Sequence, residues 1–156
     1  MNFTVEPVGY VACSRTIAVD DAWDTESSSI RLVERFSAEA LLGLSDFSHV
    51  EILYCFHGVD AAGVVTGARH PRGNKEWPLA GIFAQRAKNR PNRLGSTICR
   101  LHRIEGIQLH VTGLDAIDGT PVLDIKPVMK EFLPRGDVVQ PRWSHELMSG
   151  YWVNDV

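Results

Sequence analysis

The sequence lacks the features that mark secreted, membrane-spanning and zinc-ribbon proteins. Its three cysteines, Cys13, Cys55 and Cys99, are odd in number, far apart and without a Cys-x-x-Cys pair, so no disulfide framework or zinc ribbon is indicated. No apolar run approaches the roughly 18 residues of a membrane span, and the N-terminus has no basic region followed by a hydrophobic signal core. We therefore expect a cytoplasmic protein with no membrane association.

Several catalytic signatures are also missing. There is no Ser-His-Asp nucleophile elbow, no P-loop and no dinucleotide-binding glycine fingerprint. The six histidines form no His-x-x-x-His motif, so no metal site is predicted. His49 and His57 would lie on the same face of one predicted strand. Eight residues of straight strand would separate them by about 26 Å, so they could not share one metal.

Length and patterning indicate the fold. With 156 residues, 44% of them hydrophobic, the chain suits one domain with its own core. Most secondary-structure signals are short segments in which apolar and polar residues alternate, as in residues 107–113. Residues 50–56 are a nearly continuous apolar run, and both patterns indicate strands. One helix is predicted, beginning at the cap Ser37. We predict a mainly β protein, a small single-domain β-barrel with one or two short helices.

The C-terminal part of the sequence has the pattern of a separate tail. The predicted barrel domain covers residues 1–135, and the helical tail covers residues 136–156. Trp143, Leu147 and Tyr151 follow one another at intervals of four, which fits a short amphipathic helix. Because this apolar surface must be covered, we expect the tail to pack on the barrel or on the partner subunit of a homodimer.

Charge is unevenly distributed. The net charge is −3, yet from Arg69 to Arg103 there are nine Lys or Arg and one acidic residue, a local balance of +8 that leaves −11 elsewhere. This asymmetry is typical of an anion-binding surface, and the anion could be a phosphate backbone. The alternative is a solvated loop face whose charges are screened by salt.

Two long blocks have patterns that we do not expect to be needed for building a core. Residues 81–96 read Gly-Ile-Phe-Ala-Gln-Arg-Ala-Lys-Asn-Arg-Pro-Asn-Arg-Leu-Gly-Ser, and residues 114–127 read Leu-Asp-Ala-Ile-Asp-Gly-Thr-Pro-Val-Leu-Asp-Ile-Lys-Pro. Glycines in the first block would let backbone amides approach a ligand. Together with residues 47–57 and 70–73, these blocks resemble the TsaA-like family, which contains the tRNA threonylcarbamoyladenosine methyltransferases also known as TrmO or YaeB.

The resemblance implies a function. It implies a β-barrel that binds S-adenosyl-L-methionine without a Rossmann domain, and a methyltransferase acting on the exocyclic nitrogen of threonylcarbamoyladenosine in tRNA. Members that act on tRNA often carry an additional C-terminal domain, which is not part of this sequence. Two alternatives are therefore kept, namely a non-catalytic S-adenosylmethionine-binding module and a methyltransferase for a small metabolite.

The resemblance also implies a cofactor site. Its seven residues are His57, Gly58, Arg86, Ser96, Gly113, Leu114 and Asp115. S-adenosylmethionine needs a donor for its carboxylate and an acceptor for its ammonium or ribose hydroxyls. We assign Arg86 to the carboxylate and Asp115 to the ammonium or a hydroxyl. The competing interpretations are a surface salt bridge for Arg86 and a turn cap at a strand end for Asp115. Family members frequently have glutamine at the position of Gly58, so this chain lacks that polar side chain.

Methyl transfer needs mainly in-line positioning, because the sulfonium is already activated. A weakly nucleophilic carbamoyl nitrogen would need a base, and Asp118 and Asp124 are the candidates. The competing interpretations are a hairpin turn at Asp118-Gly119 and an ion pair between Asp124 and Lys126.

The predicted contacts with the anticodon region of tRNA come from residues 69–103, here called the basic segment. They are Arg72, Arg90, Asn92 and Arg93, with His70 or Trp77 stacking on a base. Family members commonly have proline at the position of Arg93.

Overall fold

The computed structural model describes residues 1, 2 and 4–153. Phe3 in the predicted barrel domain and residues 154–156 of the predicted tail lie outside the described residues. The strands are β1 (Gly9–Ala12), β2 (Ser27–Leu32), β3 (His49–Cys55), β4 (Ala68–Arg69), β5 (Ala80–Gly81), β6 (Leu94–Glu105), β7 (Gln108–Thr112) and β8 (Pro121–Pro127). The α-helix is α1 (Arg142–Met148), and the 3-10 turns are Ala38–Leu41, Leu44–Asp46, Ala61–Gly63, Pro71–Gly73, Ile82–Ala84, Pro91–Arg93 and Lys130–Phe132.

Six strands form a closed barrel in the order β1-β2-β7-β6-β3-β8, with β8 paired back to β1. All of these pairs are antiparallel. Strands β4 and β5 form a separate two-stranded ribbon. The predicted mainly β barrel with few short helices is confirmed. Closure pairs β1 and β8, which would otherwise be the two edge strands of the sheet.

The core follows from the alternation of side chains along the strands. On β3, Val50, Ile52 and Tyr54 point inward and are at most 1% exposed. On β7, Leu109 and Val111 do the same, as their period of two requires. These side chains belong to one continuous apolar cluster that fills the barrel.

The predicted turns form where the sequence places them. Gly106, with φ of 61°, joins β6 to β7, and Gly119, with φ of 74°, precedes β8. Ser37 caps the predicted helix by accepting a hydrogen bond from the Glu39 amide at 3.3 Å. That helix is a single 3-10 turn, because Leu42 returns to extended backbone before Gly43.

One strand boundary differs from the prediction. Strand β3 ends at Cys55, where it pairs with Leu94. His57 follows in a turn in which its amide donates to the Cys55 carbonyl at 2.7 Å. The prediction that His49 and His57 share one straight strand was therefore wrong, because the chain turns at the end of the barrel.

The segment after the barrel contacts two loops. Glu146 in α1 accepts a hydrogen bond from Trp77 Nε1 at 2.9 Å. The carbonyls of Gly150 and Tyr151 accept from the amides of Ala22 and Trp23, both at 3.0 Å. Helix α1 ends before Tyr151, so this tyrosine lies on an irregular segment. Within the described residues, no helix has the length and hydropathy of a membrane span.

Candidate functional site

The carboxylate of Asp115 is the centre of a cluster of hydroxyl groups. Its Oδ1 accepts hydrogen bonds from Tyr54 Oη at 2.6 Å and from Thr97 Oγ1, and its Oδ2 accepts one from Tyr151 Oη. A carboxylate has about four acceptor positions. Three are used, so one position on Oδ2 is left for a ligand.

Four separate parts of the chain meet at this carboxylate. Tyr54 comes from β3 and Thr97 from the neighbouring β6, where Thr97 pairs with Ile52. Asp115 lies in the connection from β7 to β8, after Gly113 has turned the chain with φ of 80°. The flanking Leu114 and Ala116 are buried in the core, so the expectation that the block 114–127 is not needed for the core was wrong. Their burial fixes the backbone on both sides of Asp115.

The hydroxyl donors stay protonated over a wide pH range. Burial, followed by the negative charge of Asp115, raises the pKa of Tyr54 far above its usual value. The same two causes raise the pKa of Tyr151, and the positive charges of Arg86 and Arg72 act in the opposite direction. Both tyrosines are therefore neutral donors near neutral pH, and the two arginines act on the same site.

Two further predicted cofactor residues contact each other. Arg86 is exposed and donates from Nη2 to the Ser96 carbonyl, while Ser96 Oγ donates to Glu51 Oε1 at 2.6 Å. A guanidinium has five N–H donors, so Arg86 keeps others for a ligand carboxylate. Ser96 precedes Thr97 on β6, which connects this pair to Asp115.

The structure does not connect the remaining two predicted cofactor residues to this cluster. His57 and Gly58 lie beyond the end of β3, beside the turn Pro91–Arg93, where the Phe56 amide donates to the Arg93 carbonyl at 2.8 Å. Among the described residues, no side-chain hydrogen bond joins His57 to Asp115. Their assignment to the cofactor stays a prediction.

The two candidate bases have different partners. Asp118 Oδ1 accepts from the Cys13 amide at 3.1 Å, and the Asp118 amide donates to the Arg15 carbonyl at 2.7 Å. Asp124 Oδ2 pairs with Lys126 as the ion-pair interpretation expected, and its Oδ1 accepts from the Ile125 amide at 3.0 Å. Both of the Asp124 oxygens are thus engaged, whereas Asp118 Oδ2 has no hydrogen-bond partner in the described part of the chain.

The arginines predicted to bind substrate also hold their loops in place. Arg72 pairs with Asp21 at 2.9 Å. Arg90 and Arg93 each donate from Nη1 to a backbone carbonyl, that of Gln85 at 2.8 Å and that of Val59 at 2.7 Å.

The turn between Arg90 and Leu94 has a strained backbone. Asn92 is exposed, and Asn92 and Arg93 have φ of 62° and 53°. Residues other than glycine rarely adopt this left-handed backbone conformation, although asparagine tolerates it better than most. The surrounding contacts of Arg90 and Arg93 offset that cost.

Sequence reasoning missed three members of the Asp115 cluster. Tyr54 lies inside the apolar run of β3, and Thr97 has no motif around it. The four-residue spacing predicts only an apolar helix face for Tyr151. No local signal brings these residues together, because residues 54, 97, 115 and 151 meet only when the barrel closes and the C-terminal segment returns to it.

These observations define a closed six-stranded barrel domain without a Rossmann fold, in which a half-buried carboxylate is held by a cluster of hydroxyl groups. The family model of the tRNA-methyltransferase O N-terminal domain matches residues 19–132. The chain belongs to this family.

Named relatives agree with that assignment. A human protein named "tRNA (adenine(37)-N6)-methyltransferase" is 34% identical in an alignment of 148 residues that covers 90% of this chain and 33% of that protein. A Pyrococcus horikoshii "probable S-adenosyl-L-methionine-binding protein" is 32% identical over 125 residues, covering 80% of this chain and 81% of that protein. The crystal structure of TrmO from Pseudomonas aeruginosa matches with a TM-score of 0.74 and 30% identity, over 92% of this chain and 62% of that one. The chain thus spans a third of the human relative.

Proposed function

We propose that this protein is an S-adenosylmethionine-dependent methyltransferase that acts on tRNA, at the exocyclic nitrogen of threonylcarbamoyladenosine. The Asp115 cluster beside Arg86 is the observation that carries the proposal. The names of the relatives support the reaction and its methyl donor. A homodimer and a cytoplasmic location belong to the same proposal.

The donor set of the site fits S-adenosylmethionine. Asp115 Oδ2 has an unused acceptor position for an ammonium or a ribose hydroxyl. Arg86 is exposed and keeps N–H donors for a carboxylate. Gly113, with positive φ, turns the chain just before Asp115. Bound S-adenosylmethionine supplies a methyl group already activated by its sulfonium.

The residues of the chain then have mainly a positioning role. Tyr54 and Thr97 hold Asp115 Oδ1 in place, so the ligand-facing Oδ2 has a defined direction. A base accepts the proton of the acceptor nitrogen. Of the two candidates we favour Asp118, because it is exposed and keeps Oδ2 available within the described chain, whereas Lys126 neutralises Asp124.

The basic segment provides the proposed tRNA contacts. Arg72, Arg90, Asn92 and Arg93 are assigned to them, with part of each guanidinium already used in the loops. Lys75, Lys88 and Arg100 are exposed and have no hydrogen-bond or ion-pair partner among the described residues. Their charges are available to phosphates, and phosphate neutralisation dominates nucleic-acid affinity.

Incubation of the purified protein with radiolabelled S-adenosylmethionine and two tRNA samples tests this function. One sample is cellular tRNA that carries threonylcarbamoyladenosine, and the other is an unmodified transcript of the same sequence. We expect label in a methylated threonylcarbamoyladenosine from the first sample alone. The variant Asp118→Asn should lose most of the rate, while Lys130→Ala, an exposed change outside the site, should not.

Other outcomes identify the alternatives. Equal labelling of the unmodified transcript would contradict the threonylcarbamoyl specificity. Cofactor binding without transfer to any RNA would favour a non-catalytic module, and label in a small molecule would favour a metabolite methyltransferase. Absence of cofactor binding by calorimetry would remove the proposed function as a whole.

A further inference from the structure

The last described residues of the chain cover the Asp115 site. Tyr151 donates its hydroxyl proton to Asp115 Oδ2. Trp152 packs its ring edge-on to Tyr151 with centroids 5.0 Å apart, and its Cζ3 lies 3.8 Å from where a Cβ on Gly113 would be. Two neighbouring aromatic side chains of the C-terminal segment thus lie on the stretch 113–115.

Backbone contacts hold this segment in place independently of the tyrosine hydroxyl. The Gly150 and Tyr151 carbonyls accept from Ala22 and Trp23, and the Val153 amide donates to Asp24 Oδ1 at 2.9 Å. Glu146 receives the Trp77 hydrogen bond at the other end of the segment. Removing the hydroxyl alone should therefore leave the segment on the barrel.

The two oxygens of Asp115 have different partners. Oδ1 is fixed twice from inside the barrel, by Tyr54 and Thr97. Oδ2 is fixed only by Tyr151 among the described residues, and it is the oxygen with an acceptor position to spare. The tyrosine therefore determines which direction on Oδ2 remains open to a ligand.

We propose that Tyr151 is a positioning residue of the cofactor site, which orients Asp115 Oδ2 toward the ammonium or a ribose hydroxyl of S-adenosylmethionine while residues 150–153 cover the bound molecule. This inference rests on the proposed function, since it concerns the same ligand. It adds a residue from outside the barrel strands to the site. It also predicts that cofactor binding and the seating of the C-terminal segment stabilise each other.

Calorimetric titration of S-adenosylmethionine into three proteins tests the inference: wild type, Tyr151→Phe and the control Tyr10→Phe. Tyr10 is an exposed tyrosine on β1, outside the cluster. We expect Tyr151→Phe to raise Kd about tenfold, because Asp115 Oδ2 is no longer held in its binding direction and must be ordered when the ligand binds. Tyr10→Phe should bind as wild type does. In turnover assays KM for the cofactor should rise while kcat changes less than about twofold.

A double-mutant cycle separates positioning from general stability. In an Asp115→Asn background, Tyr151→Phe should cause little further loss of affinity for S-adenosylmethionine, because the carboxylate that Tyr151 orients is already altered. Additive losses would overturn the inference. Cofactor binding by Tyr151→Phe with the wild-type Kd would overturn it too, and would leave the proposed function intact.

Hydrogen exchange of the wild-type protein covers the case in which Tyr151→Phe fails to fold. Addition of S-adenosylmethionine should slow exchange in peptides that contain residues 150–153 and leave β1 unchanged. Unchanged exchange in the C-terminal peptides, with the cofactor bound, would overturn the inference. If the wild-type protein binds no S-adenosylmethionine, the proposed function and this inference fall together.

Discussion

The ring of Tyr54 lies directly against the backbone of Gly95, its register partner across the β3–β6 pair. A Cβ at position 95 would come within 2.4 Å of two ring carbons. Tyr54 is 1% exposed and its hydroxyl is bonded to Asp115, so the ring cannot move aside. The absence of a side chain at Gly95 therefore allows Tyr54 to reach the site.

Gly95→Ala should disturb both the core and the site. We expect it to destabilise the fold by about 1–3 kcal/mol, the usual cost of overpacking a core, and to weaken S-adenosylmethionine binding because Tyr54 shifts away from Asp115. Urea unfolding and calorimetry measure the two effects. Gly67→Ala is the control, because a Cβ at that position would have nothing within 4 Å and its φ lies outside the left-handed region. Equal stability of the two variants would contradict this account of Gly95.

Arg15→Ala should destabilise the loop that anchors the C-terminal segment. Arg15 pairs with Glu26, which is 8% exposed, at 3.1 Å, and its guanidinium lies 4.3 Å from the centre of the Trp23 ring. Removing Arg15 takes a charged hydrogen-bond donor from the buried Glu26 carboxylate, which keeps only its two Ser14 donors, so we expect a loss of about 1.5–3 kcal/mol.

The matched control for Arg15 is Arg35→Ala, which breaks the exposed pair between Arg35 and Glu6. Exposed pairs contribute about 0–1 kcal/mol. Chemical denaturation of both variants gives the comparison. Similar losses in the two would show that the Arg15 contacts add no stability beyond that of a surface pair.

Lys88→Glu should weaken tRNA binding without disturbing the loop, since Lys88 is exposed and makes no hydrogen bond or ion pair among the described residues. We expect a lower affinity for every tRNA and a salt dependence of log K reduced by about one unit of slope. Lys130→Glu, a charge reversal of the same size outside the basic segment, is the control. If both variants lose affinity equally, net charge rather than this surface governs binding.

Stability should fall at alkaline pH because of the two buried tyrosines. Burial raises the pKa of Tyr54 and of Tyr151 above the usual value. Above a pH of about 10 the unfolded chain releases these protons and the folded chain keeps them, so each tyrosine can lower the free energy of unfolding by at most about 1.4 kcal/mol per pH unit. Below that pH their contribution is fully present. Between pH 9 and 11, the free energy of unfolding measured by denaturation should fall less steeply with pH for Tyr151→Phe than for wild type. Equal slopes for the two proteins would contradict this prediction.

Local chemistry in the sequence was sufficient to predict strands and turns of the barrel. The alternation in β3 and β7, the Gly106 hairpin and the Asp118-Gly119 turn each depend on residues close together in the chain. Period-two burial and positive φ are properties of neighbouring residues, so they can be inferred without knowing the fold. The family blocks likewise predicted one site for Arg86, Ser96 and Asp115, although their roles stay predictions.

Only the tertiary structure decided how that site is completed. Tyr54 and Thr97 meet Asp115 because β3 and β6 are neighbours in a closed barrel, and Tyr151 reaches it because the chain returns after α1. A hydrogen bond between residues 36 or 61 positions apart depends on strand order and register. The ion pair of Arg72 with Asp21 is also set by packing, over a separation of 51 residues. Such contacts leave no periodic signal in the sequence, because they join residues that are far apart in the chain. Bringing these residues together costs loop-closure entropy, and the burial of the whole core offsets that cost rather than any local preference.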